Sequence, residues 1–231
     1  SVTPTGDTET STTTVVEEVP VTTTEGTTES FVTTAAPVYL PTDVEVEYYA
    51  SDRNTWSMFN GVVGEINIPR LGIKRLVFQG LFDNEEFLYV NEFGEEDING
   101  CIFGDYRNNF NILDANNVIY GHNMKDGTMF APLLNLRDTA FFEDDSEVLI
   151  YFNSEGYNNI FKVYSVYEID LTTFNFIQTG FADEQAKQDF IDKSQSLNIA
   201  DALIFEDVPL DAKLITLSTC TNYGKNRFVV H

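Results

Sequence analysis

Three side chains capable of covalent chemistry stand at the ends of apolar, strand-like runs in this sequence. Cys220 ends the run Thr216-Leu-Ser-Thr-Cys, His122 follows the run Asn117-Val-Ile-Tyr-Gly, and Arg227 opens the run Arg-Phe-Val-Val. A thiol, an imidazole and a guanidinium can together carry out acyl transfer through a thioester. Strand ends beside polar loops hold side chains rigidly and leave them accessible. The pattern therefore predicts a cysteine acyl-transfer site, provided that the fold brings the three residues together.

Each of these residues has a role that its chemistry suggests. His122 could act as a general base toward the Cys220 thiol and as a general acid toward a leaving amine. Arg227 would return beside Cys220 across a loop of five or six residues, and its charged fork of donors could stabilise an oxyanion. A lone cysteine or histidine is more often an inert buried residue. The joint position of both at strand ends favours the chemical interpretation, and the order His before Cys differs from that of papain-like enzymes.

The composition argues against several other classes of function. The 231 residues include 13 Lys and Arg against 37 Asp and Glu, which gives a net charge of −24. Nucleic acids and anionic lipids are therefore unexpected partners, because binding phosphates requires clustered basic residues. The two cysteines and two histidines have no zinc-site spacing, and the acidic runs have no calcium-loop spacing. We expect no metal and no cofactor. The sequence contains no apolar run of about 20 residues, the length that would indicate a membrane span.

The chain divides into a polar segment and one domain. Residues 1–42 are rich in Thr, Ser, Pro and Glu. Such a segment cannot bury enough apolar surface to offset its ordering entropy, which predicts a disordered linker or stalk. Residues 43–231 are numerous enough for one domain with its own core, in which we expect a helix over 44–59 and a barrel over 60–231.

Strands are expected to outnumber helices in this domain. Short helices are predicted over 84–90 and 129–136, and the clearest helix over 183–197, where Asp183 is a good N-cap. We therefore predict a mainly β fold, a mostly antiparallel barrel with helical insertions. The apolar runs predict strands over 62–68, 73–78, 101–103, 118–121, 148–152, 160–169, 212–220 and 227–230.

Several segments around these strands resemble class B sortases. The helix over 183–197, placed before the Cys220 strand, also matches the helical insertion of that class. The resemblance runs from about residue 60 to the end, and it implies a closed eight-stranded barrel with an N-terminal helix. The segments that carry it are Gly64-Glu-Ile-Asn-Ile-Pro69, Leu76-Val-Phe-Gln-Gly80, Ile102-Phe-Gly-Asp-Tyr-Arg-Asn108, Ile119-Tyr-Gly-His-Asn-Met124, Gly127-Thr-Met-Phe130, Thr216-Leu-Ser-Thr-Cys220 and Arg227-Phe-Val-Val230.

The resemblance implies a membrane-anchored transpeptidase on the outer face of Gram-positive bacteria. Cys220 would attack the carbonyl after a Thr in the C-terminal sorting motif of a secreted protein, forming a thioester. His122 would protonate the leaving amine, and an amine of a peptidoglycan precursor would then resolve the acyl-enzyme. Arg227 would stabilise or position the substrate carbonyls. The family implies no metal and no cofactor.

Further residues in the matched segments have expected roles. The Thr221 N–H is a candidate second oxyanion donor. Cys101 is expected to be a structural thiol, with a redox partnership to Cys220 as the alternative, and His231 to be a strand residue rather than a second base. The candidate substrate-binding residues are Ser218, Thr219, Thr221, Asn123 and Tyr120.

Other interpretations keep the fold and change the activity. A pilin lysine could serve as the acceptor, although no Asp-Pro-aromatic lid precedes the barrel. Water could serve as the acceptor, which would make the enzyme a peptidase. The barrel could also be a catalytically silent surface-binding module, which the presence of all three polar residues argues against. The sequence leaves the sorting motif and the acceptor amine open.

Overall fold

A computed structural model describes Trp56 and residues 59–142, 147–155, 157–200, 207–221 and 224–231. The predicted linker over 1–42 lies outside the described residues, as does almost all of the predicted helix over 44–59. None of the helices in the described part of the chain combines the length and apolar character needed to cross a bilayer.

The described strands form one mixed sheet. Its strand order is β6-β5-β1-β2-β3-β4-β8-β9-β7. The β2–β3 and β4–β8 ladders are parallel and the other described ladders are antiparallel, as the sequence predicted for most of the sheet. The strands are β1 Val62–Ile68, β2 Ile73–Gln79, β3 Ile102–Gly104, β4 Asn116–Tyr120, β5 Leu149–Ser154, β6 Tyr157–Lys162, β7 Val166–Asp170, β8 Leu214–Thr221 and β9 Asn226–Val230.

The sheet has nine described strands where eight were expected. The predicted strand over 160–169 is two strands, because the chain changes partners between them. Val163 N–H still bonds to Val148 O, whereas Tyr164 N–H and Ser165 N–H both bond to His231 O. The two strands at the ends of the sheet, β6 and β7, therefore follow each other directly in the sequence. No described ladder joins these two strands, so the structure shows a curled sheet rather than a closed barrel.

One α-helix is described, and it is the predicted insertion before β8. This helix, α1, spans Glu184–Ser196, and the Asp183 carboxylate accepts a hydrogen bond from Ala186 N–H at 2.8 Å. Phe190 and Ile191 pack it against Leu214 of β8. Three 3-10 helices follow β1 and β4, at Pro69–Leu71, Ala131–Arg137 and Thr139–Phe142, the second of which overlaps the helix predicted over 129–136.

The predicted helix over 84–90 is wrong. This segment consists of turns, and its backbone pairs with residues farther along the chain. Asp97 N–H bonds to Tyr89 O at 2.9 Å, and Cys101 N–H bonds to Phe87 O at 3.0 Å. These long-range bonds hold the backbone of the segment in a path that is not helical, so its acidic and apolar pattern does not decide its conformation.

The two faces of β8 pack against different layers. Ile215 and Leu217 point into the main core inside the curled sheet, where Phe228 of β9 also lies. Leu214 and the other residues of its face point toward α1 and the outer surface. Every residue of β8 is buried except Cys220, which is half-buried. The strand thus presents its cysteine at its one accessible position.

Candidate active site

The Cys220 and Arg227 side chains lie on the same face of adjacent strands. The two residues are direct cross-strand partners in the antiparallel β8–β9 ladder. Such partners have Cα atoms about 4.5–5.5 Å apart. Four residues, 222–225, connect the strands, fewer than the five or six expected. Arg227 Nη1 donates to Gly224 O at 2.8 Å and to Asn226 O at 3.1 Å, so the connection itself holds the guanidinium.

The segment that carries His122 is bonded directly to Cys220. β4 and β8 pair in parallel with Tyr120 opposite Ser218, and Gly121 N–H extends this pairing to Ser218 O at 3.2 Å. His122 follows immediately. The Asn123 side-chain amide then donates to the Cys220 carbonyl at 2.9 Å. The structure therefore places the three predicted residues together where β4, β8 and β9 meet.

The backbone around His122 is fixed by a tight return of the chain. A Cβ atom at Gly121 would lie 2.7 Å from the Phe130 ring, so only glycine permits this approach. Phe130 N–H bonds to His122 O at 2.9 Å, and Asn123 pairs with Met129 in an isolated bridge. Met129 itself has a positive φ of 54°, which is unusual for a residue with a side chain. The His122 segment is thus a closed, packed turn.

The His122 ring contacts the segment that precedes β3. Nε2 lies 2.8 Å from Leu88 O, and the Tyr89 ring centroid lies 6.0 Å from that of the imidazole at 39°. The sequence prediction did not include these residues. A backbone carbonyl leaves no mark on a sequence, and only the fold brings this one to the site.

The predicted substrate-binding residues fall into two groups. The Ser218 and Thr219 side chains are buried, and within the described residues their hydroxyl groups have no hydrogen-bond partner. The Thr221 and Tyr120 hydroxyls donate to the carboxylates of Glu168 and Asp105 instead. Asn123 holds Cys220, as described above, and so supports the site from within. Of the predicted residues that the structure describes, Ser218 and Thr219 therefore retain hydroxyls for a further partner.

Glu168 fixes the last residue pair of the β8–β9 ladder. Its carboxylate accepts from Thr221 Oγ1 at 2.6 Å and from Asn226 Nδ2 at 3.4 Å, and it pairs with Arg137. The hydrogen bond from Thr221, with the neighbouring Arg137 charge, lowers the pKa of Glu168. Thr221 directly follows Cys220, and Asn226 directly precedes Arg227. Glu168 therefore anchors the strand ends that carry Cys220 and Arg227.

Asp105 is a second carboxylate that sequence reasoning missed. It is fully buried and accepts from Tyr120 OH at 2.7 Å, from Arg107 at 2.7 and 2.8 Å and from Asn84 at 3.0 Å. Burial alone would raise its pKa, but these hydrogen bonds outweigh burial and hold the pKa below its ordinary value. Arg107 also donates to Ile177 O at 3.0 Å in the β7–α1 connection. The Asp-Tyr-Arg spacing was visible in the sequence, but its role was not.

The remaining cysteine and histidine lie in the interior. The Cys101 thiol donates to Val90 O at 3.2 Å, and both cysteines are free. Burial and the nearby acidic residues Glu92 and Asp97 raise the pKa of Cys101 to about 12. This state agrees with the structural thiol expected from the sequence, and no disulfide joins Cys101 to Cys220.

His231 is completely enclosed, and both of its ring nitrogens are occupied. Nε2 lies 2.6 Å from Tyr167 OH and Nδ1 lies 2.9 Å from Thr216 Oγ1. Burial lowers its pKa from 6.5 to about 3. Thr216 Oγ1 donates onward to Asn116 Oδ1 at 2.7 Å. His231 is therefore part of a buried polar chain across β7, β9, β8 and β4, in agreement with the structural role expected for it.

Comparison with known proteins agrees with this fold. The sortase-domain family model matches residues 66–231. A sortase B of Listeria monocytogenes is 32% identical over 192 residues, which cover 82% of this chain and 76% of that protein. A Staphylococcus aureus sortase B–substrate complex matches with a TM-score of 0.69 and 27% identity, over 81% of this chain and 86% of that one. A sortase B complexed with triglycine matches with a TM-score of 0.68 and 28% identity, over 81% and 88% of the two chains. The chain therefore belongs to the sortase B family, the cysteine transpeptidases that anchor surface proteins.

Proposed function

We propose that this transpeptidase cleaves a C-terminal sorting motif after a Thr residue and transfers the acyl group to a cell-wall amine, with Cys220 as nucleophile. The observation that carries the proposal is the bond from the Asn123 side chain to the Cys220 carbonyl. It ties the residue after His122 to the nucleophile itself. The direct pairing of Cys220 with Arg227 adds the third group.

The first half of the reaction forms the acyl-enzyme. His122 takes the Cys220 proton, and the sulfur attacks the carbonyl that follows the Thr of the motif. The tetrahedral oxyanion is stabilised by Arg227 and by the Thr221 N–H. His122 then gives its proton to the leaving amine, the C–N bond breaks, and a thioester to Cys220 remains.

The second half transfers the acyl group. The incoming amine attacks the thioester carbonyl and loses a proton to His122, while Arg227 and the Thr221 N–H again stabilise the oxyanion. The C–S bond breaks, and the Cys220 sulfur is released as the thiolate or reprotonated by His122. The new amide joins the secreted protein to its acceptor. Each step uses only groups of the chain itself and the two substrates.

The related structures support two separate partners. One relative is a complex with a substrate and another is complexed with triglycine. We infer a secreted protein with a C-terminal sorting signal as donor and a peptidoglycan-precursor amine as acceptor. Membership of the sortase family indicates a location at the cell envelope. There the full-length protein is anchored in the membrane at its N-terminus, residues 1–42 form the stalk, and residues 43–231 form the catalytic domain.

Ser218 and Thr219 both have hydroxyls without a partner among the described residues, and we assign only Ser218 to substrate binding. Ser218 lies two residues before Cys220 on the same face of β8. Its hydroxyl has no partner among the described residues, so a substrate amide can supply one. Thr219 points to the opposite face, where it supports the strand from the core side. We assign Tyr120 and Asn123 to holding the site, since both side chains are bonded within it.

Intact-mass spectrometry after incubation with a library of candidate sorting peptides tests the proposal. Wild type is compared with Cys220→Ala, and triglycine is then added as the amine. We expect a mass increase that requires Cys220 and that disappears when the amine is added. An adduct that persists in Cys220→Ala, or a Cys220 thiol inert to a small alkylating agent, would contradict the assigned nucleophile. Release by water at the same rate with and without triglycine would indicate a peptidase instead.

A further inference from the structure

We propose that the backbone carbonyl of Leu88 is a positioning group of the active site. It holds His122 in the tautomer protonated at Nε2, and it thereby assigns proton transfer with Cys220 to Nδ1. This inference rests on the proposed roles of His122 and Cys220, and it adds the group that orients the imidazole.

The His122 ring contacts the Leu88 carbonyl directly. His122 Nε2 lies 2.8 Å from Leu88 O. A carbonyl oxygen can only accept a hydrogen bond, so Nε2 must carry the proton. In a neutral imidazole one nitrogen donates and the other accepts. Nδ1 is then the basic nitrogen of His122, and it is the one free to exchange a proton with the thiol.

The Leu88 carbonyl has a fixed direction. Leu88 lies between two residues whose carbonyls are bonded to other parts of the same segment. Phe87 O accepts from Cys101 N–H at 3.0 Å, and Tyr89 O accepts from Asp97 N–H at 2.9 Å. The peptide groups before and after the one that contains the Leu88 carbonyl are therefore held, and the Leu88 carbonyl between them points to His122.

Gly100 lies close to this carbonyl. Gly100 has a φ of +55°, and a Cβ atom there would lie 2.4 Å from Leu88 O and 2.7 Å from Phe87 O. A side chain at position 100 would thus have to displace the carbonyl that holds His122. Gly94 lies in the same segment with a φ of +82°, but a Cβ atom there has no atom within 4 Å. The two glycines share a positive φ, which would strain an alanine at either position, and they differ in the contact that its Cβ atom would make.

The chemical consequence is a definite proton path. Nδ1 accepts the proton as the S–H bond of Cys220 breaks, which gives an imidazolium protonated at both nitrogens. Nε2–H stays on Leu88 O throughout, where the carbonyl dipole stabilises the positive charge. Nδ1 then returns the proton to the leaving amine. A base oriented by a third group is the usual arrangement around an activated nucleophile, and here a backbone carbonyl is that group.

The test is a measurement of the His122 tautomer by long-range ¹H–¹⁵N correlation in ¹⁵N-histidine-labelled protein without substrate. The chain has two histidines, and the His231→Gln variant identifies the signals of His231. When the imidazole is uncharged, we expect wild type and Gly94→Ala to show His122 protonated at Nε2 and unprotonated at Nδ1. Gly100→Ala should show a mixture of tautomers.

Acylation kinetics with a reactive sorting peptide complete the test. Gly100→Ala should lower the acylation rate on the order of tenfold, with little change in KM. This is the lower end of the loss seen when a group that orients a metal-binding side chain is removed, a comparable positioning role. Gly94→Ala should stay within about twofold of wild type. Equal losses in both variants, or a loss in Gly100→Ala with its tautomer unchanged, would overturn the proposal.

The wild-type spectrum decides the matter even if Gly100→Ala does not fold. His122 protonated at Nδ1 in wild type would refute the inference outright. If wild type forms the Cys220 thioester while showing that tautomer, the inference fails and the proposed function stands. If the tautomer is the expected one and no peptide forms a thioester, the proposed function fails instead.

Discussion

The chain has two histidines and two cysteines, and the fold places one of each in the proposed active site and one of each in its interior. Cys220 and His122 stand at the ends of β8 and β4, and His122 has a single ring nitrogen bonded to a carbonyl. His231 and Cys101 are buried, and both nitrogens of His231 are bonded. Burial raises the pKa of Cys101 to about 12 and lowers that of His231 to about 3.

The difference between the two pairs shows what makes these side chains reactive. At neutral pH the buried pair is held uncharged, so Cys101 cannot supply a thiolate and His231 cannot carry a proton. The active-site pair is set at strand ends, where substrate can reach it. Each pair therefore serves as an internal control for the other.

The largest expected effect separates the two cysteines. Cys220→Ala should lower thioester formation by at least about 1000-fold, because no other group can replace the nucleophile. Cys101→Ala should keep activity within about threefold and lower the free energy of unfolding by about 1 kcal/mol, since a small buried group is lost. Single-turnover acylation and urea unfolding of both variants measure these quantities. Comparable activity losses in the two variants would break the comparison.

The next effect separates the two histidines. His122→Ala should lower the acylation rate by about 100- to 10,000-fold, the range associated with a general acid or base. His231→Gln should leave the rate within about threefold, because a glutamine amide can both accept from Tyr167 and donate to Thr216. The same single-turnover assay applies to both. A rate in His122→Ala within about tenfold of wild type would remove it from the proton path.

A smaller effect is expected at Arg227. Arg227→Lys should lower the acylation rate by about 100-fold, since lysine lacks the planar fork that reaches an oxyanion from beside Cys220. Arg75→Lys is the matched control, because Arg75 is exposed on β2 and bonds only to Lys74 O among the contacts described. Steady-state kinetics with a sorting peptide compares the two. Near-wild-type turnover in Arg227→Lys would show that the assigned donor geometry is wrong.

The buried histidine should make stability depend on pH. The pKa of His231 is lowered from 6.5 to about 3 in the folded state, so the unfolded state binds more protons between these values. Its contribution to stability is complete above about pH 6.5 and is lost as the pH falls toward 3, by up to about 1.4 kcal/mol per pH unit. Among the described residues, the aromatic rings that pack against it are those of Tyr164, Tyr167 and Phe190, none of which titrates in this range.

Urea unfolding between about pH 7 and 5 measures this dependence above the ordinary range of carboxylates. Wild type should lose stability across this window, and His231→Gln should show a flatter profile. Identical slopes in the two proteins would mean that His231 does not titrate on unfolding in this range. Below about pH 5, Asp105 and Glu168 should add to the loss, because their pKa values are lowered in the folded state.

The smallest effect is expected from removing residues 1–42. A chain beginning at residue 43 should acylate at a rate within about twofold of the full chain, because none of the proposed site residues lies in the predicted stalk. The comparison of the two cysteine and histidine pairs should hold in the shortened protein as well. A large loss of activity in solution would assign residues 1–42 a function beyond that of a spacer.

The sequence was sufficient where local signals determine the structure. The positions of Cys220, His122 and Arg227 at strand ends could be predicted because each ends or begins an apolar run beside polar turn residues. The Asp183 cap and the apolar stripe of α1 are likewise local, and the structure places both within a residue of the prediction. The β8–β9 pairing followed from the short interval between its strands. These features depend on neighbours in sequence, which a single chain displays directly.

The sequence was insufficient where distant backbone groups decide the outcome. The run over 160–169 reads as one strand, and only the bonds to His231 O show why it breaks. The segment over 84–90 has a helical pattern that its bonds to residues 97 and 101 override. The Leu88 carbonyl at His122 belongs to the same segment, so its position could not have been inferred before the segment's path was known.

The parallel pairing of β4 with β8 has a consequence for how the enzyme is made. The paired residues are almost a hundred positions apart, as in Asn116 opposite Leu214. Contacts of such long sequence separation form slowly, because the closure of a long loop precedes any gain from the contact. The local β8–β9 hairpin must pair with β4 before His122 and Cys220 can meet. The arrangement that acyl transfer needs therefore arises late in folding, when the most distant strands of the sheet have joined.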